Sequence, residues 1–84
     1  MTETNETPKK YDVVAPPNHF YFVETCEKFQ QNATTEHGCG SLQDVYDYLT
    51  EMNYPEYVKD GAITEMGFDD IDYRIKITLL EEKR

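Results

Sequence analysis

The chain has 84 residues, 8 of them Lys or Arg and 17 Asp or Glu, for a formal net charge of −9. That length suits one domain with one modest core, and 38% hydrophobic with 30% charged residues is a globular balance with a strongly hydrated surface. So acidic a chain does not hold nucleic acid through its phosphates, which takes a basic patch, nor an anionic membrane surface. No apolar run exceeds the four residues 20–23, so no helical span of a bilayer is encoded.

Residues 1–10 are polar, without apolar periodicity, and end in Pro8-Lys9-Lys10. They read as a disordered tail. The stretch 1–6 lacks the basic and apolar regions of a signal peptide, so the expectation is a cytoplasmic protein in a reducing compartment. A single domain is expected over 11–82, with 83–84 as a second tail. Residues 11–15 are β-prone but short, and Pro16-Pro17 ends them, which predicts a short edge strand.

Residues 18–32 are ambiguous. The run 20–23 alone resembles a strand, whereas Glu24-Thr25-Cys26-Glu27-Lys28-Phe29 is mostly helix-forming. At 100° per residue His19, Phe22, Val23, Cys26, Phe29 and Ala33 share a stripe, with Asn18 as N-cap. Helix is the favoured reading, and a strand over 19–26 is the alternative. Residues 33–40 hold two glycines and two threonines and predict a loop.

The clearest helix covers 41–53. Ser41 is its N-cap, Asp44 can complete a capping box, and Leu42, Val45, Tyr46, Leu49 and Met52 form one stripe. Asn53 suits the left-handed position after the helix, and Pro55 forbids continuation. One further helical turn is expected over 55–60, closed by Gly61. Residues 62–80 read as a β-hairpin: Ile71, Tyr73, Ile75, Ile77 and Leu79 alternate with Asp72, Arg74, Lys76 and Thr78. In that reading 62–66 is the partner strand and 67–70 the turn. The expected class is α+β, two helices packed on a small antiparallel sheet of two or three strands. Its core would hold Phe22, Val23, Cys26, Phe29, Leu42, Val45, Leu49, Met52, Ile63, Ile71, Tyr73, Ile75, Ile77 and Leu79.

Chemistry is sparse. Cys26 and Cys39 are expected as free thiols, with a bridge between them as the alternative. Together with His19 and His37 they have the ligand number for zinc, but His37-x-Cys39 and a six-residue gap from His19 to Cys26 do not match ligand loops. Asp69-Asp70-x-Asp72 lacks the loop of a calcium site and suits a turn. The one serine, Ser41, has a capping role, and no glycine-rich phosphate loop is present. No metal, cofactor or enzymatic activity is expected.

The charge itself is the informative feature. Residues 36–72 carry Glu36, Asp44, Asp47, Glu51, Glu56, Asp60, Glu65, Asp69, Asp70 and Asp72 against the single base Lys59, a local charge of −9. Residues 1–35 carry −2 and residues 73–84 carry +2. Such unopposed repulsion destabilises a compact state unless a partner neutralises it. The expected role is a small acidic binding or inhibitor protein that offers a helix face to a basic protein. A nucleic-acid-binding protein suits it, since carboxylates in a row can imitate phosphates. By analogy, inhibitors of the phage or mobile-element type, viral proteins among them, are of this kind. The expected contact residues are Asp44, Asp47, Tyr48, Glu51, Glu56, Asp60, Asp69 and Asp70. The alternative is an accessory subunit that associates through a Tyr-rich surface or a sheet edge, with the acidity serving solubility alone.

Overall fold

A computed structural model describes residues 10–28 and 34–81 of the chain. Four strands and two helices follow in the order β1 (His19–Glu27), β2 (Thr34–Cys39), α1 (Leu42–Glu51), α2 (Glu56–Glu65), β3 (Gly67–Asp69) and β4 (Tyr73–Glu81). The sheet is antiparallel with strand order β2-β1-β4-β3. Both helices pack on one of its faces, so the fold is α+β with four strands rather than two or three. The expected tails at 1–10 and 83–84 lie outside the described residues, apart from Lys10.

Residues 19–27 form a strand, not the helix favoured from their periodicity. The reason is tertiary. This segment is central in the sheet and pairs with β4 over nine positions, His19↔Glu81 to Glu27↔Tyr73. Tyr21, Val23 and Thr25 face the helices and are buried, while Phe20, Phe22 and Glu24 face the other way. Polar Thr25 inside and apolar Phe22 outside blur the two-residue period and imitate a helical stripe. The segment read as a loop at 33–40 is β2, which covers one edge of β1 in the register Tyr21↔Cys39 to Cys26↔Thr34. Residues 11–15 make only one isolated bridge, Val14↔Ser41, rather than a strand. The Ala15 N–H donates to the Gly40 carbonyl at 3.0 Å, and the Leu42 N–H to the Val13 carbonyl at 2.8 Å.

Helix α1 forms as its sequence predicts. Ser41 Oγ accepts the Asp44 N–H at 3.1 Å, and Asn53 takes a left-handed φ of 68° just beyond the end. The second helix is longer than expected. It continues through Gly61 to Glu65 with Met66 as its left-handed cap, so the segment 62–66 is helix and cap rather than the expected strand. Val58, Lys59, Ala62 and Ile63 form its buried stripe. Gly61 does not stop it: a Cβ there would lie 2.9 Å from the Phe68 ring, so the glycine permits close approach of β3. The hairpin is therefore β3–β4. Its turn is held by Asp70, whose Oδ1 accepts the N–H groups of Asp72 and Tyr73 at 2.9 and 2.8 Å. That turn puts Ile71 at the tip, 86% exposed, which removes it from the expected core. Leu79 is exposed as well, and Phe22 belongs to the other face of the sheet, where Cys26 is buried as expected but apart from the main cluster. Phe29 lies outside the described residues.

The core joins Val23, Ile75 and Ile77 from the central strands to Val45, Leu49, Val58, Ala62 and Ile63 from the helices. Cys26 and Cys39 are both free and buried. They are on opposite faces of the sheet, and Cys39 sits opposite Tyr21, five residues from Cys26 along β1. That offset is about 17 Å, far beyond a disulfide's reach. No described helix is long and apolar enough to cross a membrane.

Candidate protein-docking site

The eight residues expected at a partner surface fall into three groups. Asp44, Asp47, Tyr48 and Glu51 stay together. They form one wall of a groove of about 390 Å³ whose other wall is the end of β2 and the turn after it, His37, Gly38, Cys39 and Gly40. The helix builds this wall because its apolar stripe is drawn to the sheet: Val45 and Leu49 are buried at 0% exposure, which turns the 44–47–51 line outward beside β2.

None of these three carboxylates forms an ion pair among the described residues. Asp47 Oδ1 accepts a bond from Gln43 Nε2 at 3.0 Å, and Gln43 Oε1 in turn accepts the Tyr11 N–H at 2.7 Å. This chain of bonds fixes the middle of the wall without neutralising it. On the floor, the His37 ring stacks on Tyr48, with centroids 4.3 Å apart and planes 5° from parallel. Cys39 is beneath. Burial first, and the Asp44 charge second, push its thiol up to about 11. Of the three carboxylates, Asp44 thus acts on the Cys39 thiol.

Glu56 and Asp60 are placed differently. They lie on α2 inside a clasp formed with the chain's entry segment. Lys10 Nζ is 2.9 Å from both Glu56 Oε2 and Asp60 Oδ1. The Tyr46 hydroxyl donates to Glu56 at 2.7 Å, and the Tyr11 hydroxyl donates to Asp60. Lys59, only 8% exposed, donates to Thr50 Oγ1 at 3.0 Å, lies over the Tyr46 ring at 4.7 Å and stands 3.5 Å from Glu56. These contacts hold both carboxyls below their ordinary values: the Tyr46 hydroxyl and Lys10 act on Glu56, the Tyr11 hydroxyl and Lys10 on Asp60.

The third group, Asp69 and Asp70, closes the far end of the sheet. Lys28 Nζ reaches Asp69 Oδ1 and donates to the Asp70 carbonyl at 2.6 Å, while the Asp70 side chain holds its own turn. Of the tyrosines near the acids, Tyr54 is core, at 4% exposure, and Tyr57 is exposed beside Phe68.

Two parts of the site were not visible to sequence reasoning. The β2 wall was read as a loop, although Thr34-Thr35 is a β-branched pair that could have signalled a strand. The clasp cation Lys10 is 46 residues from Glu56, beyond any local pattern. Among the described residues no three His, Cys, Asp or Glu side chains converge to hold a metal ion. The base-bearing surface is elsewhere: Arg74 and Lys76 project from the uncovered sheet face, around a shallow cavity shared with Glu24, Cys26 and Thr34. No protein-family model, characterised protein or solved structure matches the chain.

Proposed function

We propose that this protein is a non-enzymatic binding module whose α1 groove docks a basic surface of another protein and blocks it. The observation that carries the reading is the separation of the acids. Glu56, Asp60 and Asp69 are engaged by cations of the chain itself, whereas Asp44, Asp47 and Glu51 stand together without one among the described residues. Three like charges held at i, i+3 and i+7 on a helix repel one another. An external cation relieves that repulsion, and complementary charge steers encounter and selects partners. A nucleic-acid-binding protein is the partner class that such a row suits best, because its groove already accepts phosphates.

The test is the triple variant Asp44→Asn, Asp47→Asn, Glu51→Gln. Three exposed pairs at about 0.2–1 kcal/mol each bracket the ~1.4 kcal/mol of a tenfold change, so binding to a partner recovered at low salt should weaken about tenfold. The association rate should fall first, and the contrast should shrink as salt rises. Nucleic acid should compete with the parent protein for that partner. A triple variant that binds as tightly and as fast as the parent would leave the acidic face a hydrated surface and favour an accessory subunit joined through its sheet edge.

A further inference from the structure

The groove has a second property, independent of its charge. Its β2 wall is the edge of the sheet. In the order β2-β1-β4-β3, β2 pairs with β1 alone among the described residues, and the Val14↔Ser41 bridge lies beyond its end. The six residues Thr34–Cys39 carry a buried side chain only at Cys39. An edge strand presents a row of backbone N–H and C=O groups to whatever approaches. Natural edges are commonly blunted by charged side chains, lysine above all, by proline, a bulge or a very short strand; the one carboxylate of β2, Glu36, is opposite Glu24 and is of the sign that admits a basic strand. Segment 34–39 contains no lysine or proline and pairs with β1 in unbroken register. The opposite edge, β3, is only three residues long.

We propose that β2 is a receptor edge: an extended basic segment of a partner protein adds to the sheet alongside Thr35–Gly38 as a fifth strand, with Lys or Arg at alternate positions entering the α1 groove. The inference rests on the acid-face reading above and states how that face is engaged. Strand addition supplies backbone hydrogen bonds, and pockets on alternate side chains supply selectivity. The dimensions agree. From Asp44 to Glu51 the acidic wall runs seven helical residues, about 10 Å. Side chains on one face of a strand recur about every 6.7 Å, so two helix-side cations fit along the wall. The His37–Tyr48 stack adds a flat aromatic surface over which such a chain can lie.

The same charge argues against a second copy of this chain as the occupant. Two β2 edges joined about a twofold axis perpendicular to the sheet would bring both α1 helices to one side. Their unpaired carboxylates would then face each other across the joint, and like charges in juxtaposition oppose association. A basic strand turns that repulsion into attraction.

The experiment titrates isotope-labelled full-length protein with three synthetic peptides of about nine residues. One alternates Lys and Val. A second has the same composition with its lysines in one block. A third is the alternating peptide N-methylated on alternate backbone nitrogens, prepared in both registers. The expected result is chemical-shift change across Thr35–Gly38 and new exchange protection at alternate amides of that stretch, the ones not already bonded to β1, with affinity at least about fivefold above the blocked peptide and loss of binding in one register of N-methylation only. Asp47→Asn with Glu51→Gln should weaken the alternating peptide without moving the amides of β3. Equal affinity for alternating and blocked peptides, with neither register of methylation mattering, would overturn strand addition while leaving the acidic face as the docking surface. Absence of binding by every basic peptide at low salt would overturn both.

Discussion

Two acidic clusters occupy one helical hairpin and have opposite surroundings. Asp44, Asp47 and Glu51 on α1 face solvent across from an open sheet edge. Glu56 and Asp60 on α2 lie under Lys10 and two tyrosine hydroxyls. In the sequence they belong to the same run, ten acids against Lys59, and nothing local separates them. What separates them is a cation far away in the chain. A charge count thus identifies how much repulsion a fold must manage, while the tertiary structure decides which acids are already managed. The α2 acids hold residues 10 and 11 to the helices, whereas the α1 acids have no ion pair among the described residues.

Both clusters depend on the same scaffold, so the largest expected effect removes the comparison altogether. Leu49 is fully buried between the helices and the sheet, and Leu49→Ala should destabilise the protein by about 2–5 kcal/mol in a urea titration. A loss below about 0.5 kcal/mol would mean that the hairpin does not rest on this side chain. A smaller effect separates the clusters. Glu56→Gln with Asp60→Asn should lower the thermal midpoint, because it breaks the clasp and leaves Lys10 without partners. The α1 triple variant should leave the midpoint unchanged or raise it, because it relieves repulsion. The pH dependence has the same sign logic. Glu56 and Asp60 have depressed folded-state values, so their contribution is present above the unfolded carboxylate range and is lost as pH falls below it through the lower folded values. The parent should therefore lose stability on acidification more steeply than the α2 double variant. A triple variant that destabilises as much as the double would erase the distinction.

How far this was legible in the sequence depends on the range of the interactions. Helix α1 was legible to its caps, since Ser41, the 42–45–49–52 stripe, Asn53 and Pro55 are all local signals. The alternation at 73–77 likewise marks β4, because Tyr73, Ile75 and Ile77 turn toward the helices while charged Arg74 and Lys76 turn to the uncovered face. Residues 19–27 misled because a central strand with a bare outer face carries Phe20 and Phe22 where solvent-facing polar residues are expected. Helix α2 runs past the expected end at residue 60, and its buried stripe holds a lysine, for reasons that only tertiary contacts explain. Gly61 makes room for Phe68, and Lys59 is buried against Tyr46 and Thr50 in the middle of an apolar stripe. The helix wall of the candidate site was readable for the same reason as α1. Its strand wall was not, because β2 is defined by pairing with a segment whose own conformation was ambiguous.

The smallest expected effect is also the most discriminating, because Cys39 is a built-in probe of one cluster and not the other. Its thiol lies under the groove, raised from an ordinary 9.0 to about 11 by burial and then by Asp44. A thiol ionises to an anion, so burial and a nearby carboxylate both favour the neutral form. In the folded protein it should alkylate slowly at neutral pH, and faster only as pH approaches 11. The linkage has a definite direction as well. A folded value above the unfolded one means that the stabilisation is complete below the unfolded thiol range and is lost as pH rises toward about 11. In a Cys26→Ser background, so that one thiol reports, Asp44→Asn should shift the alkylation profile to lower pH by the smaller, electrostatic share of the elevation. The α2 pair Glu56→Gln and Asp60→Asn should leave it in place, since those carboxylates are neutralised by Lys10 and do not act on Cys39. High salt should reduce the Asp44 contribution and leave the larger part, which comes from burial. If the α2 variant moves the profile as far as Asp44→Asn does, the two clusters share one field and the groove has no electrostatic identity of its own.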